Sequence, residues 1–402
     1  MKFKIKGGRL AMLLVPALAL AAPAFAQVRA TTLSDSQEPG SVIVFPKFIQ
    51  GAISVSEGTS LPITELEIGV VCPKGVTCPE HEPVKIRFHW VCGATEADEA
   101  TSFVCKETDF DITATVFEKI VLTPNGETPG FYTVAGGGLP TKFAPAPECP
   151  QGGGYLIGWV INPANDRPVK FDGLVGDAHL RPGSPVPAVA GAANPFAGSP
   201  TALADYTAIP IQADPGLDTF PTGANSAIMT NHNGALIFDG GVGHYQAITG
   251  QVMGDVRYTN LTAGPTFTLG VLTLLTLDVK SNRPNLATFV DLDFFGGNPS
   301  AIGNENQLST STDFICWEEI PITAISTDLT TTQMGRKGVF VSAPAADRLG
   351  NPVTLLGLSE VLEGGFFPPT AAWPRASFTG LFNSSNPVPT RFVPTPSPNF
   401  LP

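Results

Sequence analysis

FVCKETDFDIT, residues 103–113, and FICWEEIPIT, residues 314–323, share the pattern Phe-(Val/Ile)-Cys-x-Glu. Two strand-like segments and a polar loop precede each copy: ELEIGVV, VKIRFHWV and GATEADEA before the first, and TLLTLDV, ATFVDLDFF and GGNPSAIGNENQ before the second. Short β patterns converge easily, so the shared order of segments counts for more than the five letters. This order predicts two related β units in one chain.

The composition favours an all-β protein. The chain has 42 Gly and 39 Pro in 402 residues, and only 14% of its residues are charged. Turns are therefore frequent, and the residues between them are rich in Val, Ile, Thr and Phe, which is typical of strands. With 43% hydrophobic residues, the chain can fill one large core or two modest ones. We predict two antiparallel, Ig-like β-sandwich units.

Changes in composition along the chain set the expected boundaries. Residues 1–26 form a leader, 27–180 the first β-sandwich unit and 181–234 a long Pro/Gly/Ala-rich connection with one strand in YTAIPIQA. Residues 235–365 form the second unit. Residues 366–402 are rich in proline and are expected to be an extended C-terminal tail without regular structure of its own.

The leader resembles a bacterial secretory signal peptide in its three parts. Lys2, Lys4, Lys6 and Arg9 give a cationic start, AMLLVPALALAA an apolar run, and residues 24–26 a small-x-small cleavage site. The apolar run is shorter than the roughly 20 residues of a membrane-spanning helix. We therefore expect an exported protein, located in the periplasm, at the cell surface or outside the cell, without membrane insertion after cleavage.

The charge balance argues against one class of partner. The formal net charge is −12, and removal of the leader takes away four more positive charges. Nucleic-acid binding depends on a basic surface that replaces the counterions of phosphates, so a nucleic-acid partner is not expected. Self-association and an envelope or cell-wall partner remain as the expected kinds of contact.

All six cysteines lie after the leader. An even number of cysteines in an exported chain predicts disulfides, and no CxxC or Cys/His spacing indicates zinc. Pairing between sequence neighbours would join Cys72 to Cys78 and Cys92 to Cys105. Cys149 and Cys316 would then bridge distant parts of the chain, although the sequence alone allows fifteen connectivities.

Alternation along two strands places opposite charges at corresponding positions of the two units. Arg87 and His89 lie on the polar side of VKIRFHWV, and Asp291 and Asp293 lie on the polar side of ATFVDLDFF. These faces could meet as an interface, within one molecule or between copies, with Arg87 bound to a carboxylate. The alternative is two solvated faces, on which exposed ion pairs contribute only about 0–1 kcal/mol.

Two kinds of ligand site have candidate residues in the sequence. A structural calcium ion would need six to eight oxygen ligands, and neither an EF-hand nor another calcium loop occurs. The scattered candidates for such a site are Asp109, Asp111, Asp172, Asp177, Asp239, His244, Asp291 and Asp293. Trp317 stands beside Cys316 where the first unit has Lys106, and it is the candidate for stacking on a sugar; the alternative is a core tryptophan.

No catalytic residue set follows from the sequence. GxSxG, HExxH, GxxxxGK and GxGxxG are absent, although a triad or a carboxylate pair needs no local motif. We therefore expect a non-enzymatic structural, adhesive or ligand-binding protein of the envelope or exterior, without a cofactor. A secreted carbohydrate-binding or carbohydrate-active protein is the alternative.

Overall fold

The protein is described here from a computed structural model. The structure describes residues 38–56, 59–93, 105, 107–124, 131–135, 142–143, 149, 152–180, 204–213, 220–222, 235–257, 266–277, 287–296, 307–322, 337–365, 375–380, 387–388 and 390–392. The leader, with its cleavage site, lies outside these residues, so the signal peptide stays a prediction.

The regular secondary structure of the described residues is almost all β-strand, as the composition predicts. Those from residue 38 to 213 form thirteen strands: β1 Val42–Ile49, β2 Ala52–Ser56, β3 Thr59–Pro62, β4 Thr64–Val70, β5 Pro83–Cys92, β6 Glu107–Thr115, β7 Lys119–Thr123, β8 Phe131–Ala135, β9 Lys142–Phe143, β10 Gly153–Ile161, β11 Leu174–Leu180, β12 Ala204–Thr207 and β13 Ile209–Ile211.

Thirteen further strands follow. They are β14 Leu236–Phe238, β15 Ile248–Thr249, β16 Met253–Arg257, β17 Thr266–Leu275, β18 Ala287–Gly296, β19 Gln307–Ile315, β20 Trp317–Pro321, β21 Lys337–Ser342, β22 Ala346–Asp347, β23 Leu356–Gly365, β24 Arg375–Gly380, β25 Pro387–Val388 and β26 Thr390–Phe392.

Two antiparallel sheets dominate the N-terminal half. Their strand orders are β13-β1-β10-β5-β6 and β12-β11-β4-β7-β8-β9. The burial of β4 alternates strictly between buried and half-buried residues, as expected for a strand with one face on the core. β1 and β10 are buried at every position, which is typical of strands covered on both faces.

Two further antiparallel sheets follow in the C-terminal half. One has the order β16-β21-β18-β19, with β22 also paired to β18, and the other has the order β20-β17-β23-β24. Three two-stranded pairs complete the described sheets: β2 with β3, β14 with β26, and β15 with β25.

The predicted connection contains the expected strand, in two parts. β12 pairs with β11 in one N-terminal sheet, and β13 pairs with β1 in the other. The chain therefore crosses between the two sheets at the single residue Ala208, which is buried.

The prediction of a tail without regular structure is wrong for three segments after residue 366. β24 continues a sheet by pairing with β23, and β25 and β26 pair with β15 and β14. Proline has no backbone N–H group and disrupts a strand only where that group would pair with a neighbouring strand. Short strands can therefore form between the prolines.

The hydrophobic core does not divide at the predicted unit boundary. The larger core cluster joins most of the buried N-terminal strands to Leu275, Trp317 and Leu356 of the C-terminal half. A smaller cluster lies within the C-terminal half and includes Leu292 and Phe340. All described residues belong to one compact unit. The Ig-like pairing and the two-unit architecture stay hypotheses.

Candidate functional site

A buried ionic cluster joins the two halves of the described chain. Lys47 lies on β1, Glu319 on β20 and Glu360 on β23. The Lys47 Nζ donates a hydrogen bond to Glu360 Oε2 over 2.6 Å and also forms an ion pair with Glu319. The three side chains are only 5%, 12% and 6% exposed, in the order Lys47, Glu319, Glu360. The cluster therefore places two carboxylates and one ammonium group inside the protein.

The backbone around Lys47 is fixed by two aromatic residues. The pairing of β1 with β10 shifts its register between Phe45 and Phe48, so Lys47 lies in an irregular stretch of the strand. Tyr206 donates its hydroxyl hydrogen to the Lys47 carbonyl oxygen, and the Lys47 N–H lies 3.2 Å from the same hydroxyl. Trp317 Nε1 donates to the Pro46 carbonyl oxygen over 2.8 Å.

Burial and charge oppose each other in this cluster. Burial alone would lower the pKa of Lys47, but the charges of Glu319 and Glu360 outweigh it and raise the pKa above its usual range. Burial raises the pKa of Glu319, the ammonium of Lys47 opposes that rise, and the charge of Glu360 adds to it. The two carboxylates therefore favour the charged form of Lys47, whereas the ammonium of Lys47 opposes the effects of burial and of Glu360 on Glu319.

The disulfides join different cysteines from those predicted, with one exception. Cys72 pairs with Cys78 as expected, with 6.0 Å between the Cα atoms. The predicted bond between Cys92 and Cys105 is wrong, because Cys92 bonds to Cys149 and Cys105 bonds to Cys316.

Sheet geometry explains one of the two corrected pairs. Cys92 ends β5 opposite Gly154 at the start of β10, and Cys149 lies just before that strand. Cys105 and Cys316 belong to the two similar stretches FVCKETDFDIT and FICWEEIPIT. The stretches are therefore bound to each other by a bond that spans 211 residues.

Arg87 does bind a carboxylate, but on the neighbouring strand. Its Nε and Nη2 donate to the two carboxylate oxygens of Asp111 over 2.8 and 3.0 Å, and the two residues face each other in the β5–β6 register. Asp291 and Asp293 accept hydrogen bonds from Ser311 and Ser309 on β19. Contact between the two charged faces in separate copies stays a prediction.

His89 is not on a solvated face, contrary to the alternation in the sequence. The residue is 1% exposed, and its Nδ1 lies 3.2 Å from Glu107 Oε2. Its ring stacks on Trp159 with 4.9 Å between centroids. Strand alternation fails here because the second half of β5 is buried on both faces.

Trp317 is a core residue and offers no open ring face to a sugar. It is 2% exposed, and Trp90 and Trp159 are equally buried. Trp373, the fourth tryptophan, lies outside the described residues. The predicted stacking role of Trp317 is therefore wrong for this structure.

Acidic side chains do not converge on a metal position in the described part of the chain. No group of three or more His, Cys, Asp or Glu residues there could hold an ion. Asp172, one of the calcium candidates, is buried and accepts hydrogen bonds from Ser41 Oγ and the Ala213 N–H. Asp239 Oδ1 lies 2.7 Å from His244 Nδ1. A structural calcium ion stays a prediction without a site among these residues.

Four exposed apolar side chains lie on one face of one sheet. Of the seven large hydrophobic residues exposed among those described, four belong to the solvent-facing side of the sheet β16-β21-β18-β19. We call this side the outer face, and its exposed apolar residues are Met253, Phe289, Phe295 and Val339, each 40–43% exposed. Phe295 and Val339 are neighbours in the strand register, whereas Asp291 and Asp293 separate Phe289 from them. Several exposed apolar side chains on one face can mark a contact surface, whereas single exposed residues are ordinary.

The outer face combines these apolar residues with acids and hydroxyls. Val339 lies between Asp255 and Phe295 in the strand registers, and Phe289 lies opposite Asp313. Sequence alternation could have revealed Phe289 and Phe295, because they share the outward positions of Asp291 and Asp293 on β18. Such a face can bind through apolar contact and hydrogen bonds.

No helix among the described residues has the length and apolar character needed to cross a membrane.

No protein-family model and no curated protein matches the chain. Among solved structures, a chain of the T13 particle of infectious bursal disease virus aligns at 12% identity, covering 90% of this chain and 72% of that chain, with a TM-score of 0.12. A chain of the VP2 subviral particle of infectious bursal disease virus aligns at 12% identity, covering 90% of this chain and 76% of that chain, also with a TM-score of 0.12. Likeness at this level indicates neither the fold nor the function of this chain.

Proposed function

We propose that the chain is an exported, non-enzymatic β protein that acts through contact, as a structural, adhesive or ligand-binding protein of the bacterial envelope or exterior. The observation that supports this proposal best is the outer face, where Met253, Phe289, Phe295 and Val339 are exposed together on one sheet. A rigid sheet holds these side chains in place before any partner arrives, which lowers the entropy lost on binding.

The three disulfides support the export part of the proposal. Disulfides persist in oxidising compartments and are rare in the cytosol, so the three bonded pairs are compatible with an exported location. The bond between Cys105 and Cys316 fixes the C-terminal half of the chain to the N-terminal half. A protein that works outside the cell gains resistance to unfolding from such a bond.

Co-sedimentation with isolated bacterial cell envelopes tests the proposal. The full chain, exported and oxidised, is expected to pellet with envelopes, and a Phe289→Ser/Phe295→Ser variant is expected to bind at least about tenfold more weakly, a loss of roughly 1.4 kcal/mol. Phe117 and Val242 are 83% and 93% exposed and belong to no strand of the sheet that carries the outer face, so the Phe117→Ser/Val242→Ser variant is the matched control and should bind like the parent chain.

Two results would contradict the proposal. One is a parent chain that stays in the supernatant at every envelope concentration, and the other is equal binding by both double variants. A glycan array run with the same proteins separates the alternative. Binding to a defined sugar would favour the carbohydrate-binding alternative, and release of sugar from the envelopes would favour a hydrolase.

A further inference from the structure

β19 is a long strand at the edge of its sheet. The sheet order places it last, beyond β18, and its nine residues pair with β18 over their full length. No other described strand pairs with its second side. An edge of this kind presents a row of backbone N–H and C=O groups to which another strand can bind.

The other sheet edges of the described chain are less open to a second strand. The edge strands β9, β12, β13, β16, β20 and β24 have two to six residues each. β6 has nine residues, but it carries Glu107, Asp109 and Asp111, and charged residues protect an edge from pairing. β19 is neither short nor rich in charge: its sequence QLSTSTDFI contains no proline, lysine or arginine and only one acid, Asp313.

The side chains of β19 also suit a strand partner. Ser309, Ser311 and Asp313 point outward and are exposed. Thr310 and Thr312 point inward with Phe314, yet they remain half-buried while Phe314 is buried. The core is therefore incompletely covered at this edge, and another strand placed beside β19 would cover it.

We propose that β19 pairs in antiparallel orientation with β19 of a second copy of this chain, centred on Ser311. In this register Ser311 lies opposite Ser311, Asp313 lies opposite Ser309, and Thr310 lies opposite Thr312. No carboxylate then faces a carboxylate, whereas a register centred on Asp313 would place two acids opposite each other. The two sheets would join into one continuous sheet across the pair of molecules.

The chain already contains the same side-chain pairing. On the outer face, Ser311 Oγ donates to Asp291 over 2.6 Å, and Ser309 donates to Asp293. Opposed Ser and Asp residues are therefore accommodated between neighbouring strands of this sheet. The self-pairing of β19 repeats this combination at Ser309 and Asp313.

This inference deepens the proposed contact function by naming a second copy as one partner. Its test is a cysteine placed at the symmetry centre. Opposed residues of antiparallel strands have Cα atoms about 4.5–5.5 Å apart, which a disulfide can span. The Ser311→Cys chain is expected to form a disulfide-linked dimer under mild oxidation, seen on non-reducing gels and by intact mass.

Ser309→Cys is the matched control. In the same register the two introduced cysteines are offset by four residues, or about 13 Å, so they should not bond. Equal cross-linking of the two variants, or none by either, would overturn the proposal. Intact mass under non-reducing conditions confirms that the three native disulfides remain in each variant.

Charged substitutions at Ser311 allow a second test, which measures reversible dimerisation. Ser311→Lys and Ser311→Glu each place like charges at the symmetry centre, so each is expected to dimerise at least about tenfold more weakly than the parent in sedimentation equilibrium. A mixture of the two variants should recover the heterodimer. A monomeric parent chain, or a mixture that stays monomeric, would refute self-pairing. If envelope binding persists in that case, only this inference fails and the proposed contact function stands.

Discussion

Lys47 Nζ lies 2.6 Å from Glu360 Oε2, although 313 residues separate the two in the chain. The bond connects β1 in the N-terminal half with β23 in the C-terminal half, and Glu319 completes the cluster from β20. A charge cluster at this depth makes the relative position of the sheets specific, because any shift would leave a charge buried without its counterion.

Replacement of Lys47 by Met should strongly destabilise the protein. Two carboxylates would remain buried without an ammonium group, and the free energy of unfolding should fall by about 3–5 kcal/mol. Urea unfolding followed by tryptophan fluorescence measures this loss. The variant Lys47→Met/Glu319→Gln/Glu360→Gln removes all three charges and should recover much of it. A loss below about 1 kcal/mol for Lys47→Met would show that the cluster does not contribute to stability.

The three disulfides should contribute unequally to stability. In the chain-entropy model, the Cys105–Cys316 bond closes a loop of 211 residues and should contribute about 5 kcal/mol, whereas Cys72–Cys78, with a separation of six, should contribute about 2 kcal/mol. Serine replacements of each pair, compared by guanidinium unfolding, test this order. Equal losses for the two pairs would contradict the loop-length account.

Stability should fall as the pH rises through the titration of His179. Burial alone would lower the pKa of His179, but the hydrogen bonds and charges of Asp205 and Glu67 raise it above its usual value. His179 Nδ1 lies 2.6 Å from Asp205 Oδ1. The stabilisation is complete below the unfolded-state pKa of about 6.5 and is lost as the pH passes the higher folded-state pKa.

His179→Gln should remove this pH dependence. The contribution should be at most about 1 kcal/mol, because the network is partly exposed to solvent. Thermal unfolding of the parent and the variant between about pH 5 and pH 9 measures it. If stability depends on pH equally in the variant and in the parent, another group causes the pH dependence.

Glu318 should make the protein less stable at neutral pH than in mild acid. Burial, together with the negative charge of Asp313, raises the pKa of Glu318 from 4.5 to about 7. The contribution of Glu318 to the free energy of unfolding is complete below pH 4.5 and is lost as the pH rises through about 7. Above pH 7 the free energy of unfolding of the Glu318→Gln variant should therefore be about 1 kcal/mol higher than that of the parent, after allowance for solvent screening. In acid the two free energies should be equal.

The Asp313→Asn variant separates the two causes of the raised Glu318 pKa, which are burial and the charge of Asp313. Removal of its negative charge should lower the pKa of Glu318, because an ionised Glu318 would then lose its repelling neighbour. Carboxyl carbon NMR titration of the parent and the variant measures the change. An unaltered Glu318 titration would leave burial as the sole cause.

The sequence by itself determined the strand content and much of the local alternation. TELEIGV alternates in the structure as it does in the sequence, and YTAIPIQA contains the predicted strand. Period-two alternation is a local property of a pleated strand, so it can be recognised without knowledge of distant residues. The prediction of disulfides from an even number of cysteines has the same origin in composition.

Tertiary structure alone decided which side chains meet. Lys47 is the only charged residue in SVIVFPKFI, a signal that the sequence contains, but its carboxylate partners lie more than 270 residues away. His89 and Trp317 are buried in the tertiary structure, and Cys105 bonds to Cys316 although 211 residues separate the two cysteines. Alternation specifies two faces of a strand; only the packing of sheets determines what covers each face, and that depends on contacts between residues far apart in the chain.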